Sequence, residues 1–217
     1  MIVIQPKTGK LPKLSLIFLH GLGDTGHGWA PVMRMLASVL PMVRFILPTA
    51  DHLPVTMNNG FRMPAWYDIY SLDRNAEVDK AGMEKSVDLV KQIIKSEHSA
   101  GVEKVVVGGF SQGGVISLLT ALNTSEHLAG AICLSGYLPY KPERTLATHV
   151  PIFMGHGRDD QVVTFEYGKR SFEELMKMGL TVTFKEYHNM GHSASEQELD
   201  DMVAFIRTFI IDDHADL

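Results

Sequence analysis

The sequence predicts an α/β protein with a mainly parallel central sheet and helices on both faces. Two observations favour this class: short apolar runs alternate with longer helical patterns, and most of the short runs are continuously apolar. Continuously apolar runs are typical of strands buried on both faces of a parallel sheet. Strand–helix alternation along the chain is typical of helices layered on such a sheet.

The individual elements follow in chain order. The predicted strands are Leu14–Leu19, Val43–Leu47, Val105–Gly108, Gly130–Leu134, Pro151–Gly155 and Thr181–Tyr187. The predicted helices are Trp29–Leu40, Ala81–Ser96, Gly114–Leu122, Phe165–Met178 and Glu196–Ile211. The last helix has apolar residues three and four positions apart, the spacing that packs one helix face on a sheet. There is no repeat, low-complexity segment or linker, so residues 1–217 are predicted to form a single domain.

Composition limits the function classes. The 217-residue chain has a net charge of −5 and no run of Lys and Arg, which argues against a nucleic-acid partner. Its single cysteine, Cys133, cannot form an internal disulfide, which favours a reducing compartment. The first residues do not resemble a signal peptide, and no apolar run reaches the roughly 18 residues that span a bilayer. We therefore expect a cytoplasmic protein.

The segment from Pro48 to about Lys80 breaks the alternation. It has no sustained period, yet it is rich in apolar and aromatic side chains. A long irregular stretch in a compact domain is often functional. Two interpretations stay open: an irregular connection packed on the core, or a lid or groove for an apolar ligand.

A serine motif joins a predicted strand to a predicted helix. Gly109-Phe-Ser111-Gln-Gly113 has the pattern G-x-S-x-G. A sharp strand-to-helix turn lifts a serine oxygen clear of the sheet, and the flanking glycines leave room for that turn. The motif alone is common, but its position between a strand and a helix indicates that Ser111 is a nucleophile.

A nucleophilic serine needs a base and an orienting carboxylate, in the chain order Ser, Asp or Glu, His. Asp159 and Asp160 follow one predicted strand, while His188 and His192 follow the next. His192 is the favoured base and His188 the alternative. The two histidines also have a zinc-like spacing of four, but Gly191 disfavours a helix there, so no metal site is predicted.

The stretch His20-Gly-Leu-Gly-Asp-Thr-Gly26 fits two patterns. Its glycines match the dinucleotide-binding loop G-x-G-x-x-G, which would make the chain an oxidoreductase. That alternative needs an acidic residue at the end of the second strand, and Asp51 lies beyond it. The stretch also fits the turn that offers backbone N–H groups to an oxyanion in serine hydrolases. The serine motif favours the hydrolase, for which no cofactor is expected.

Together these motifs resemble the acyl-protein thioesterase and carboxylesterase family of α/β-hydrolases, whose small members have no separate cap domain. The resemblance runs through the stretches 19–29, 63–68, 108–114, 134–135, 138–139, 156–160 and 192–193. It implies Ser111 as nucleophile, Asp160 as acid and His192 as base. It implies the backbone N–H groups of Leu22 and Gln112 as oxyanion hole.

The resemblance also implies the substrate, an ester or thioester of an acyl chain. Its acyl groove would be lined by Trp66, Ile69, Leu72 and Val162. Two activities stay open: a general carboxylesterase, or an acyl-protein thioesterase or lysophospholipase acting at membranes. The apolar 53–72 loop adds the hypothesis of peripheral membrane contact, and members of the family often form weak homodimers.

The sequence departs from the family pattern at two positions. Gln161 stands where many members have proline after the acid, which loosens the turn but leaves Asp160 in place. Tyr137 stands where eukaryotic members often have tryptophan, so the groove is expected to differ in width.

Overall fold

A central seven-stranded sheet organises the computed structural model, which describes residues 1–71, 77–142 and 149–210. Its strand order is β1-β3-β2-β6-β7-β8-β9. The strands are β1 (Ile2–Ile4), β2 (Leu14–Leu19), β3 (Val43–Leu47), β4 (His52–Val55), β5 (Phe61–Pro64), β6 (Val105–Phe110), β7 (Gly130–Leu134), β8 (Ile152–Gly157) and β9 (Val182–Tyr187). The helices are α1 (Gly26–Val39), α2 (Lys80–Ser99), α3 (Gln112–Asn123), α4 (Phe165–Lys177) and α5 (Glu196–Arg207), with a 3-10 turn at Thr56–Asn58.

The six predicted strands form the six parallel strands of this sheet. In their order across the sheet they are β3, β2, β6, β7, β8 and β9. Three of them have the predicted bounds, and the bounds of β6, β8 and β9 differ from the predicted ones by one or two residues. The α/β class with a mainly parallel sheet is therefore confirmed. The last helix was predicted to reach Ile211, but α5 ends at Arg207 and is followed by a turn at 208–210, and Ile211 lies outside the described residues.

Two features were not predicted. Strand β1 pairs antiparallel with β3 at the sheet edge, with Val3 opposite Ile46. Strands β4 and β5 form a separate antiparallel hairpin within the irregular 48–80 segment. Both are short, and the hairpin strands contain Pro54 and Pro64, which a ladder tolerates only where no N–H is needed.

The core lies on both faces of the sheet. One buried cluster joins the sheet to α2, α3 and α4, and includes Val87, Leu118 and Leu175. The other joins it to α1 and α5, and includes Met33 and Met202. Helices on both faces explain why the parallel strands are apolar throughout.

The carboxyl edge of the sheet gathers the predicted site. The turn after β2 carries the 20–26 stretch, and Ser111 follows β6 directly. Asp160 follows β8, and His192 lies between β9 and α5. Parallel α/β sheets place ligands at this edge.

Among the residues that the structure describes, no helix has both the length and the apolar character required to cross a membrane.

Candidate active site

Ser111 occupies a strained turn between β6 and α3. Its backbone has φ 53° and ψ −118°, a conformation that non-glycine residues rarely adopt. A Cβ at Gly109 would lie 2.3 Å from the backbone carbon of Gly113, and one at Gly113 would lie 2.2 Å from the Leu19 carbonyl oxygen. Both glycines are therefore needed for α3 to pack against the strands. The tight turn leaves Ser111 at the wall of a cavity.

His192 bridges Ser111 and Asp160. Its Nε2 lies 2.8 Å from Ser111 Oγ, and its Nδ1 lies 2.7 Å from Asp160 Oδ2. An ionised carboxylate only accepts hydrogen bonds, so Nδ1 carries the proton and donates it to Asp160. Nε2 is then free to accept the Ser111 hydroxyl proton. The alternative base, His188, is exposed.

Asp160 is buried and held in place by the β8–α4 loop. Its Oδ1 accepts hydrogen bonds from the backbone N–H groups of Val162 and Val163, each at 2.9 Å. Burial raises the pKa of the Asp160 carboxyl, but hydrogen bonding and charge from His192, together with the Val162 amide, outweigh burial and hold this pKa below its ordinary value. Asp160 is therefore ionised near neutral pH. Its neighbour Asp159 is exposed.

His20 supports the turn that begins the 20–26 stretch. The Ala50 N–H donates to His20 Nε2 at 3.0 Å, so the ring proton is on Nδ1, which donates to the Gly21 carbonyl at 2.7 Å. Burial lowers the pKa of His20, which keeps the ring neutral. The His20 carbonyl accepts from Trp66 Nε1 at 2.8 Å. These bonds fix the backbone that presents Leu22 to the cavity.

Leu22 and Gln112 both line the cavity beside Ser111. Gln112 is the first residue of α3, and the first N–H groups of a helix have no acceptor within the helix. The Gln112 side chain has a second role that the sequence reasoning missed. Its Oε1 accepts from the Trp66 N–H at 2.8 Å and its Nε2 donates to the Tyr67 carbonyl at 2.7 Å, which ties the 65–67 loop to the serine turn.

The cavity has a volume of about 560 Å³. Of the four residues predicted to form the acyl groove, Ile69 and Val162 line it. Trp66 does not, because its indole is buried against His20 and donates to the His20 carbonyl. Leu72 lies outside the described residues. Tyr67 and Tyr137, which were not predicted as lining, form part of the wall.

Within the described part of the chain, no three His, Cys, Asp or Glu side chains are grouped so that they could hold a metal ion.

Comparison with known proteins places this chain in a family. The model of the family described as Phospholipase/Carboxylesterase matches residues 2–210. An acyl-protein thioesterase 1 from Mycosarcoma maydis is 42% identical, with 96% of each chain covered. An acyl-protein thioesterase 1 from Candida albicans is 38% identical, over 94% of this chain and 96% of the relative.

A solved structure of a related protein has the same fold. The crystal structure of Zea mays acyl-protein thioesterase 2 superposes with a TM-score of 0.86 and 31% identity, covering 96% of this chain and 98% of that one. The resemblance seen in the sequence motifs and the predicted α/β-hydrolase fold are both confirmed. The chain belongs to the phospholipase/carboxylesterase family of α/β-hydrolases.

Proposed function

We propose that this protein hydrolyses acyl esters and thioesters through a covalent acyl-enzyme on Ser111. Its class, a serine hydrolase of carboxylic esters or thioesters, follows from its family, and the prediction of that class is confirmed. The family also favours the hydrolase over the dinucleotide-binding alternative. The observation that carries the residue assignment is the continuous hydrogen-bonded path from Ser111 through His192 to Asp160.

The proposed reaction has two halves. His192 Nε2 takes the Ser111 proton while Oγ attacks the acyl carbonyl, and the Leu22 and Gln112 N–H groups stabilise the oxyanion. The intermediate collapses when His192 returns the proton to the departing alkoxide or thiolate. A water molecule, activated by the same imidazole, then releases the acid and frees Ser111. Asp160 keeps the imidazole in the required tautomer throughout.

Ser111→Ala tests this assignment. We expect turnover of a p-nitrophenyl ester to fall about a million-fold, since the nucleophile is removed. Ser125→Ala is the matched control, because Ser125 is exposed beyond the far end of α3. Circular dichroism checks that both variants fold. Activity retained by Ser111→Ala would overturn the proposal.

For the natural substrate we favour an acyl thioester over a simple oxoester. Support comes from the relatives named acyl-protein thioesterase at about 40% identity. A panel of p-nitrophenyl esters from acetate to dodecanoate, with a matched acyl thioester, tests this preference. A higher kcat/KM for the oxoester at equal acyl length would favour the general carboxylesterase instead.

The 53–72 loop is proposed to contact membranes from the cytoplasm. Phe61 at the tip of the β4–β5 hairpin is 70% exposed, and Tyr70 is also exposed. Exposed apolar side chains of this kind would rest on a lipid surface. Phe61→Ala should weaken co-sedimentation with phosphatidylcholine vesicles, whereas Met35→Ala, which truncates an exposed side chain on α1, should not.

Equal vesicle binding by the two variants would count against this contact. A weak homodimer through the same face is the competing explanation for the exposed side chains. Sedimentation equilibrium distinguishes the two explanations, because Phe61→Ala would then lower the dimer fraction and leave vesicle binding unchanged.

A further inference from the structure

The cavity above Ser111 extends over both faces of the sheet. Its α1/α5 end is lined by side chains that pack with the α1 and α5 core cluster: Trp29, Val32, Phe110, Ala194 and Leu199. Its other end, called the hairpin end, is lined by Met57 between the two hairpin strands and by Tyr67, Ile69 and Tyr137. Tyr67, Ile69 and Tyr137 pack with the cluster of the opposite sheet face. The single cavity beside Ser111 therefore has two apolar ends, which we call its two chambers.

The catalytic imidazole borders the α1/α5 end. The Phe110 ring lies 4.9 Å from the His192 ring, centroid to centroid, and the Trp29 ring lies 5.5 Å from Phe110. Ala194, two residues after His192, also lines this end. A path of aromatic contacts thus leads from the proton-carrying ring into this chamber.

The reaction chemistry distinguishes the two ends. After attack, the imidazolium must protonate the departing oxygen or sulfur, so the leaving group lies on the His192 side of Ser111. We propose, on the basis of the proposed function, that the α1/α5 end is a binding subsite for the leaving group. The hairpin end then receives the acyl chain.

The lining of the α1/α5 end defines the chemical class of its ligand. Its aliphatic and aromatic side chains fit an apolar alcohol or thiol portion several carbons long. Asp24, whose carboxylate lies against Gly28, also borders the cavity. That negative charge disfavours an anionic leaving group. The favoured substrate is thus apolar on both sides of its ester or thioester bond.

Two half-buried side chains allow a matched test. Val32→Trp fills the α1/α5 end and Ile69→Trp fills the hairpin end. One substrate series varies the leaving group, as acetate esters of linear alcohols from ethanol to octanol. The second series varies the acyl chain, as ethyl esters from acetate to octanoate. Hydrolysis is followed by acid release.

Val32→Trp should lower kcat/KM for octyl acetate relative to ethyl acetate about tenfold or more, since even one methylene of misfit has an effect of this size. It should leave the acyl-length dependence unchanged. Ile69→Trp should give the opposite pattern. Val32→Ala, which enlarges the chamber without inserting a ring, should raise relative turnover of branched-alkyl acetates.

The reversed pattern, or an equal loss in both series for Val32→Trp and Val32→Ala, would overturn the subsite. Failure of the proposed function would look different. In that case Ser111→Ala would hydrolyse both series as well as the unsubstituted protein does, before any chamber variant is compared.

Discussion

Asp159 and Asp160 are adjacent in sequence but lie in opposite environments. Asp160 is buried and bonded to His192, whereas Asp159 is exposed. We expect Asp160→Asn to lower kcat about 10⁴-fold, because the amide no longer holds the imidazole in the active tautomer. Asp159→Asn should change kcat by less than about twofold. Steady-state kinetics on a p-nitrophenyl ester measures both, and a comparable loss in Asp159→Asn would contradict the assignment.

Glu198, in the first turn of α5, is a buried carboxyl outside the proposed chemistry. Among the described residues neither of its oxygens has a hydrogen-bond partner. Burial, with a smaller effect of Asp201, raises the pKa of Glu198 to about 8. The folded protein therefore keeps a proton here that the unfolded chain releases above about pH 4.3.

The free energy of unfolding should consequently fall as pH rises from about 4.3 to about 8, because the unfolded state binds fewer protons than the folded state over this range. The contribution is fully present below the unfolded pKa and is lost as pH rises to about 8. Glu198→Gln, which is neutral at every pH, should flatten this fall by at least about 1 kcal/mol, measured by urea unfolding at several pH values. The exposed Glu196→Gln is the control. Parallel pH profiles for Glu198→Gln and the unsubstituted protein would refute the prediction.

At the scale of elements, Gln112 connects α3 to the loop that follows the β4–β5 hairpin. Gln112→Ala would leave the Trp66 N–H and the Tyr67 carbonyl buried without their partner. We expect a loss of about 2–4 kcal/mol in the free energy of unfolding, measured in urea. Gln197→Ala, on the exposed face of α5, should cost less than about 0.5 kcal/mol. Equal stabilities of the two variants would show that the two Gln112 hydrogen bonds contribute little to the free energy of unfolding.

How far the sequence predicts each element depends on the strength of its pattern. The buried strands were predicted nearly to the residue, because continuous apolar runs leave few alternatives. Helix α1 begins at Gly26, three residues before the predicted start at Trp29, because Thr25 caps it although Gly26 and Gly28 favour a turn. Strand β1 has three residues, too few to show a period.

The site was predictable where a chemical motif fixes the residue and less so where packing does. Ser111, Asp160 and His192 lie together as their order in the chain suggested. Trp66 was expected in the groove because its loop resembles the loop that lines the acyl groove in the family. Its indole N–H instead required an acceptor, which the His20 carbonyl supplies in the interior. No pattern in the sequence indicates that contact.

At the scale of the whole molecule, the sequence predicts one domain, which cooperative unfolding would support. The two tryptophans lie on opposite faces of the sheet, Trp29 with the α1 and α5 cluster and Trp66 with the other. In Trp29→Phe and Trp66→Phe, urea transitions followed by fluorescence should coincide with those followed by far-ultraviolet circular dichroism. Separate transitions for the two faces would contradict a single cooperative unit.

The most direct test of the proposed chemistry is covalent labelling by a fluorophosphonate, which reacts with activated serines. The hydrogen-bonded path through His192 makes Ser111 the expected target. Peptide mass spectrometry should find one label, on the peptide that contains Ser111, appearing in step with the loss of esterase activity. A label on another serine, or full activity in a protein whose Ser111 is completely labelled, would contradict the account.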